Sequence, residues 1–117
     1  MDRIQAKRAY DRPEQSDGTR FLVDRLWPRG IKKESLAIAE WIKQAAPSSE
    51  LRKWFGHDPL KWDEFRHRYL HEIEEHPDVL GPIRQALKKG NVTLLYSAKD
   101  REHNNAVVLA DYLRKPD

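Results

Sequence analysis

The sequence contains no cysteine. Disulfides, thiolate metal sites and cysteine nucleophiles are excluded, which leaves only histidine and carboxylates as candidate metal ligands. It also lacks a long apolar run. Nothing approaches the ~20 consecutive apolar residues that span a bilayer, and the start Met1-Asp-Arg-Ile-Gln-Ala-Lys7 has no signal-peptide core, so a cytoplasmic protein without a membrane role is expected. A strong charge of one sign is missing as well. The 22 Lys and Arg against 19 Asp and Glu leave +3, and the charges are mixed along the chain. That balance permits a phosphate-bearing small molecule or a nucleic acid as partner and demands neither. No linker, repeat or low-complexity tract divides the 117 residues, so the whole chain, 1–117, reads as one domain.

Four Trp, four Tyr and three Phe supply bulky core material, and 35% charged residues give a solvated surface. The pattern predicts a strand over Ile4–Tyr10, a turn-rich loop ending at Asp17-Gly18, and a second strand over Arg20–Leu26. From Lys32 to Ala46 the signal is mixed and is read as a short helical turn followed by a strand that ends at Pro47. Ser48 has the position of an N-cap for a short helix closed by Gly56. Asp58 with Pro59 opens a longer helix to about Glu75, whose stripe Trp62, Phe65, Tyr69 and Ile73 is assigned to the core. Another helix runs from Pro77 and stops at Gly90. The apolar run Val92–Tyr96 reads as a strand covered on both faces, and Ala106–Leu113 as a terminal helix, which makes an α/β domain.

Two segments carry candidate chemistry. In Asp24-Arg25-Leu26-Trp27-Pro28-Arg29-Gly30 a strand gives way to charged and aromatic residues that are costly to bury unpaired, at a strand end where α/β proteins bind ligands. Arg25 and Arg29 offer planar forks for phosphate or carboxylate, Trp27 a stacking face, and Asp24 a general base. The competing reading pairs Asp24 with a neighbouring arginine and lets Trp27 simply pack. In the second segment, Tyr96 to Asn105, a loop enters a helix N-terminus where Ser97, Lys99 and Asn104 offer donors to an anion. Its competing reading makes Asn104 only a cap and Lys99 a solvated residue. The loop has no glycine and no P-loop or dinucleotide fingerprint, so it names no cofactor.

His57 carries an imidazole, the side chain suited to act as acid, base or anion donor if it faces these loops. His67 and His71 have the spacing of two metal ligands, but the His-Arg-Tyr-Leu-His sequence departs from the zinc-protease motif, and a solvated helix face is the better reading.

Leu22-Val-Asp-Arg-Leu-Trp-Pro-Arg-Gly30, Leu51-Arg-Lys-Trp-Phe-Gly-His-Asp58 and Thr93-Leu-Leu-Tyr-Ser-Ala-Lys-Asp100, with Ala46-Pro-Ser48, Asn104 and Ala106, resemble domain of unknown function family 488 in its YeaO-like branch of small bacterial proteins. The resemblance implies a compact single domain with a small, largely parallel sheet flanked by helices; the family's name assigns no activity. Related branches carry Cys-His-Arg where the last strand passes into the final helix. Here that region reads His103-Asn-Asn105, so no thiol chemistry is carried over. Their aspartate after the early strand corresponds to Asp24. Some relatives are labelled winged-helix regulators, yet a basic recognition helix is lacking here. The combined expectation is a cleft at the strand carboxyl ends that binds a small anionic ligand, with hydrolysis or group transfer as the chemistry if there is any. A nucleic-acid-binding or regulatory protein is the alternative, and a protein-interaction module with an aromatic patch around Trp41 and Trp54 is a third.

Overall fold

The computed structural model describes residues 3–115. Four strands, β1 (Ile4–Arg8), β2 (Thr19–Leu22), β3 (Glu40–Trp41) and β4 (Val92–Tyr96), form one sheet in the order β1-β4-β2-β3, with every pair parallel. Five helices accompany it: α1 (Lys33–Leu36), α2 (Ser49–Phe55), α3 (Trp62–Glu75), α4 (Gly81–Lys89) and α5 (Asn105–Arg114). The α/β class and the parallel sheet therefore agree with the expectation. Among the described residues no helix is long and apolar enough to cross a membrane.

β4 sits between β1 and β2, and all five of its residues are buried, which is why its sequence is continuously apolar apart from Thr93. Successive strand residues face opposite sides. Phe21, Val23, Leu94 and Tyr96 join the larger core beneath α2, α3, α4 and α5, while Leu22 and Leu95 join a smaller cluster with Leu36, Trp27 and Trp41.

Phe65, Tyr69 and Ile73 bury one stripe of α3, as their spacing requires, and the Tyr69 hydroxyl donates to the Ala45 carbonyl. Trp62 is only half-buried; it lies at the edge of the stripe against Phe55 and Phe65. Ser48 Oγ accepts the Leu51 N–H at 3.1 Å, and Gly56 closes α2 in the left-handed region at φ 54°. Glu72 on α3 takes both the N–H and the hydroxyl of Ser48, so the start of α2 is fixed to α3.

Several boundaries differ from the sequence reading. β1 stops at Arg8 and β2 at Leu22. The stretch expected as a strand up to Ala46 contributes only Glu40–Trp41 before Lys43–Ala45 winds into a 3-10 turn, whose last carbonyl is the one Tyr69 occupies. Pro59–Lys61 and Pro77–Leu80 are also 3-10 turns that precede α3 and α4.

The smaller face of the sheet holds a buried ionic cluster that the sequence reading did not identify. Asp17 pairs with Arg20 and with Lys7, the latter at 3.0 Å, and Arg20 also donates to the Leu36 carbonyl at 3.1 and 2.9 Å. Gly18 follows at φ 67°, and a Cβ there would lie 2.0 Å from the Asn91 carbonyl oxygen, so this turn into β2 requires glycine.

Candidate functional site

Parallel pairing puts the carboxyl ends of β2 and β4 side by side. The Val23 N–H still reaches the Leu95 carbonyl at 3.2 Å, and there the ladder gives way to side-chain bonds. Asp24 Oδ2 accepts the Ser97 N–H at 2.8 Å, and Oδ1 accepts Asn105 Nδ2 at 3.1 Å. The same Asn105 nitrogen donates to the Val23 carbonyl at 2.9 Å, and the Asp24 carbonyl takes the Trp41 indole N–H at 2.7 Å. These bonds explain why the strand expected to run to Leu26 ends early.

The two loops, with α2 and the residues that flank it, enclose a cleft of about 700 Å³. Asp24, Arg25, Trp27 and Arg29 line it from the first loop and Ser97, Lys99 and Asn104 from the second. His57 lines it from the turn after α2. All eight residues selected from the sequence thus face one space.

Their individual states differ. Arg25 is half-buried, with Nη2 3.4 Å from the Pro47 carbonyl and Nε buried without a partner. Arg29 and Lys99 are exposed, and the Tyr10 hydroxyl donates to the Arg29 carbonyl at 2.9 Å, which fixes the lip of the cleft. Trp27 donates its indole N–H to the Ile31 carbonyl and meets Trp41 edge-on at 5.4 Å, so only part of its ring remains for a ligand. Ser97 Oγ is buried beside Asp24 but makes no hydrogen bond of good geometry. Arg25 Nε and Ser97 Oγ are the two buried side-chain polar atoms without a partner among the described residues, and both belong to this cleft.

Asn104 takes the role its competing reading gave it. Its Oδ1 accepts the Val107 N–H at 3.0 Å and its Nδ2 donates to the Asp100 carbonyl at 3.0 Å, so the carboxamide is occupied in capping α5. The amide that meets the inner wall belongs to Asn105. His57 is exposed at φ 58°, a left-handed conformation in which His is over-represented, and its ring leans on Phe55.

Three contributors had no role of their own in the sequence reading, although His103 lies within the second segment. Arg52, one turn before the end of α2, also lines the cleft, and its charge acts on Asp24. His103 lines it with Nδ1 2.9 Å from Asp100 Oδ2 and its ring edge-on to Trp62 at 5.1 Å. The i, i+3 spacing of Asp100 and His103 was the available signal. Arg8, at the end of β1, holds the second loop by donating to the carbonyls of Ser97 and Ala98 at 3.2 and 3.0 Å.

The cleft is electropositive. Among the described residues none of Arg25, Arg29, Arg52 and Lys99 forms an ion pair with a carboxylate. Of the two carboxylates present, Asp100 is occupied by the N–H groups of Glu102 and His103 and by the His103 ring, which hold it below the usual aspartate range. Burial pushes Asp24 the other way, above 3.8, and outweighs the bonds from Ser97 and Asn105 and the charge of Arg52. Among the described residues no group of three or more His, Asp or Glu is placed to hold a metal, and His67 and His71 are exposed on α3. Chemically, the arrangement offers cationic donors to an anion and one carboxylate able to exchange a proton.

The comparisons with known proteins agree with one another. Over 111 residues the chain is 53% identical to the uncharacterized protein YeaO of Escherichia coli strain K12, covering 95% of this chain and 96% of the relative. It is 37% identical to the uncharacterized proteins Rv3073c of Mycobacterium tuberculosis strain H37Rv and Mb3100c of Mycobacterium bovis, covering 95% of this chain and 93% of each relative. No solved structure matches. The family described as the inactive DUF488-N3 subclade matches residues 3–116, and the chain belongs to it.

Proposed function

We propose that this protein binds a small phosphate-bearing anion in the cleft and holds it without turning it over. The observation that carries this reading is the set of four cations around one opening that have no carboxylate partner among the described residues. A buried donor without a partner is rare in folded proteins, and Arg25 Nε, on a residue that lines this opening, is one. Arg25 and Arg29 neutralise the anion, with Arg52 and Lys99 adding to the field. Asn105 holds Asp24 against the wall, and Asn104 fixes the start of α5. The family's description as inactive favours binding over reaction. So does the sequence His103-Asn-Asn105 at the place where related branches carry a cysteine.

A second reading, hydrolysis or group transfer, is favoured by one observation, the raised proton affinity of Asp24 at the cleft wall with His57 at its mouth. It predicts turnover of phosphate esters that Asp24→Asn abolishes.

Thermal shift against nucleotides and phosphorylated metabolites tests the leading reading. A ligand bound only by the folded state raises the Tm. Arg29→Ala, at an exposed side chain, should leave the unliganded Tm unchanged and remove the shift. If no anion raises the Tm, or if both Arg25→Ala and Arg29→Ala keep the full shift, the reading is wrong. Binding of DNA or RNA with a steep salt dependence, and of no small anion, would support the nucleic-acid alternative instead.

A further inference from the structure

The cleft has two chemically different levels. Its opening carries exposed cationic side chains, Arg29, Arg52 and Lys99. Its interior is walled by Ala46, Pro47, Phe55 and Phe65, all buried, and the two phenylalanine rings stack at 4.3 Å between centroids with 24° between planes. At the lip stands Leu26, an apolar side chain left 65% exposed.

Inorganic phosphate would use only the upper level and would not touch the apolar walls. A volume of about 700 Å³ falls within the range of roughly 300–1,000 Å³ typical of pockets that enclose an organic molecule. The polarity of the cleft also orients its occupant, because Asp24 lies on the inner wall, bonded to Ser97 and Asn105, whereas the unpaired cations lie outside. An anionic group is repelled from the interior and attracted to the rim.

We infer that the ligand is an amphipathic anion, an aromatic or branched aliphatic body joined to a single anionic head. It enters body first, against Phe55, Phe65 and Pro47, and leaves its head among Arg29, Arg52 and Lys99. Arg25, half-buried beside the same space, carries its guanidinium below the rim near the oxygen that links body and head. Leu26 folds over the body and loses its exposure. The inference rests on the anion-binding reading above and adds to it the body and its orientation.

Calorimetric titration with phenyl phosphate, inorganic phosphate and phenol separates these claims. Phenyl phosphate should bind at least about tenfold more tightly than inorganic phosphate, the effect of burying most of an aromatic ring, and phenol should bind far more weakly than phenyl phosphate. Leu26→Ser, at an exposed position that leaves the fold intact, should weaken phenyl phosphate by about three- to tenfold and leave inorganic phosphate unchanged. The double variant Arg29→Ala, Lys99→Ala should weaken both anions. Equal affinity for the two phosphates overturns the amphipathic ligand and keeps the anion site. Equal affinity for phenol and phenyl phosphate overturns the placement of the head at the rim. If neither anion binds the folded protein, the anion-binding reading itself fails.

Discussion

The backbone N–H of Ser97 donates to Asp24 Oδ2 at 2.8 Å, joining residues 73 positions apart at the tips of two neighbouring parallel strands. This bond, with the one from Asn105, sets the wall of the cleft and holds there a half-buried carboxylate that has no ion-pair partner among the described residues. Such a carboxylate costs stability once it is ionised.

The sign of its pH dependence follows. Asp24 binds its proton more tightly in the folded than in the unfolded protein, because its folded pKa lies above the 3.8 of a free aspartate. Between those two values the folded state holds more protons, so stability falls as pH rises, and the full cost is present above the folded pKa. Denaturation of the wild type and of Asp24→Asn across pH 3 to 8 should show the stability difference moving in favour of the asparagine variant as pH rises from about 3.8. A difference independent of pH would mean that Asp24 is not desolvated.

Asp17 behaves in the opposite way. Burial alone would raise its pKa, but the Glu14 N–H, Lys7 and Arg20 outweigh that effect and hold the carboxyl below 3.8. Its contribution is present above the unfolded value and is lost as pH falls through the lower folded one. Asp17→Asn leaves Arg20 buried without its counter-charge and should cost about 3 to 5 kcal/mol, measured by urea denaturation at neutral pH. Ligand binding under conditions where the variant is folded should be unchanged, since neither residue lines the cleft.

Asn104 and Asn105 are adjacent, yet their substitutions should separate. Asn104→Ala removes the cap of α5 and should cost about 1 to 2 kcal/mol of stability without a change in the pH behaviour of Asp24. Asn105→Ala takes one hydrogen bond from Asp24 and should raise its pKa further, which an NMR titration of the carboxyl carbon would detect.

The sequence made legible what local chemistry decides. The buried run Val92–Tyr96, the stripe Phe65, Tyr69 and Ile73, and the caps at Ser48, Asp58 and Gly56 all follow from spacing and from the backbone groups that helix ends leave open. The lengths of β2 and β3 were not legible, because Ser97, Asn105 and Tyr69 decide them from far along the chain. Arg52 and Arg8 escaped for the same reason: nothing beside them in the sequence distinguishes them from surface arginines, and only the assembled sheet brings them to the loops. Asn104 and Asn105 could not be told apart until the start of α5 was fixed to one residue, because a shift of one position exchanges cap and wall.

The most direct test is NMR of the labelled protein titrated with phenyl phosphate, following backbone amides and the Arg25 Nε–H. The account predicts that the Arg25 Nε–H and the amides of residues 24–29 and 97–105 shift together and saturate with one affinity. Shifts confined to the groove around Arg3, Ser16 and Asn91, which does not border the cleft, or a silent Arg25 at saturating ligand, would contradict it.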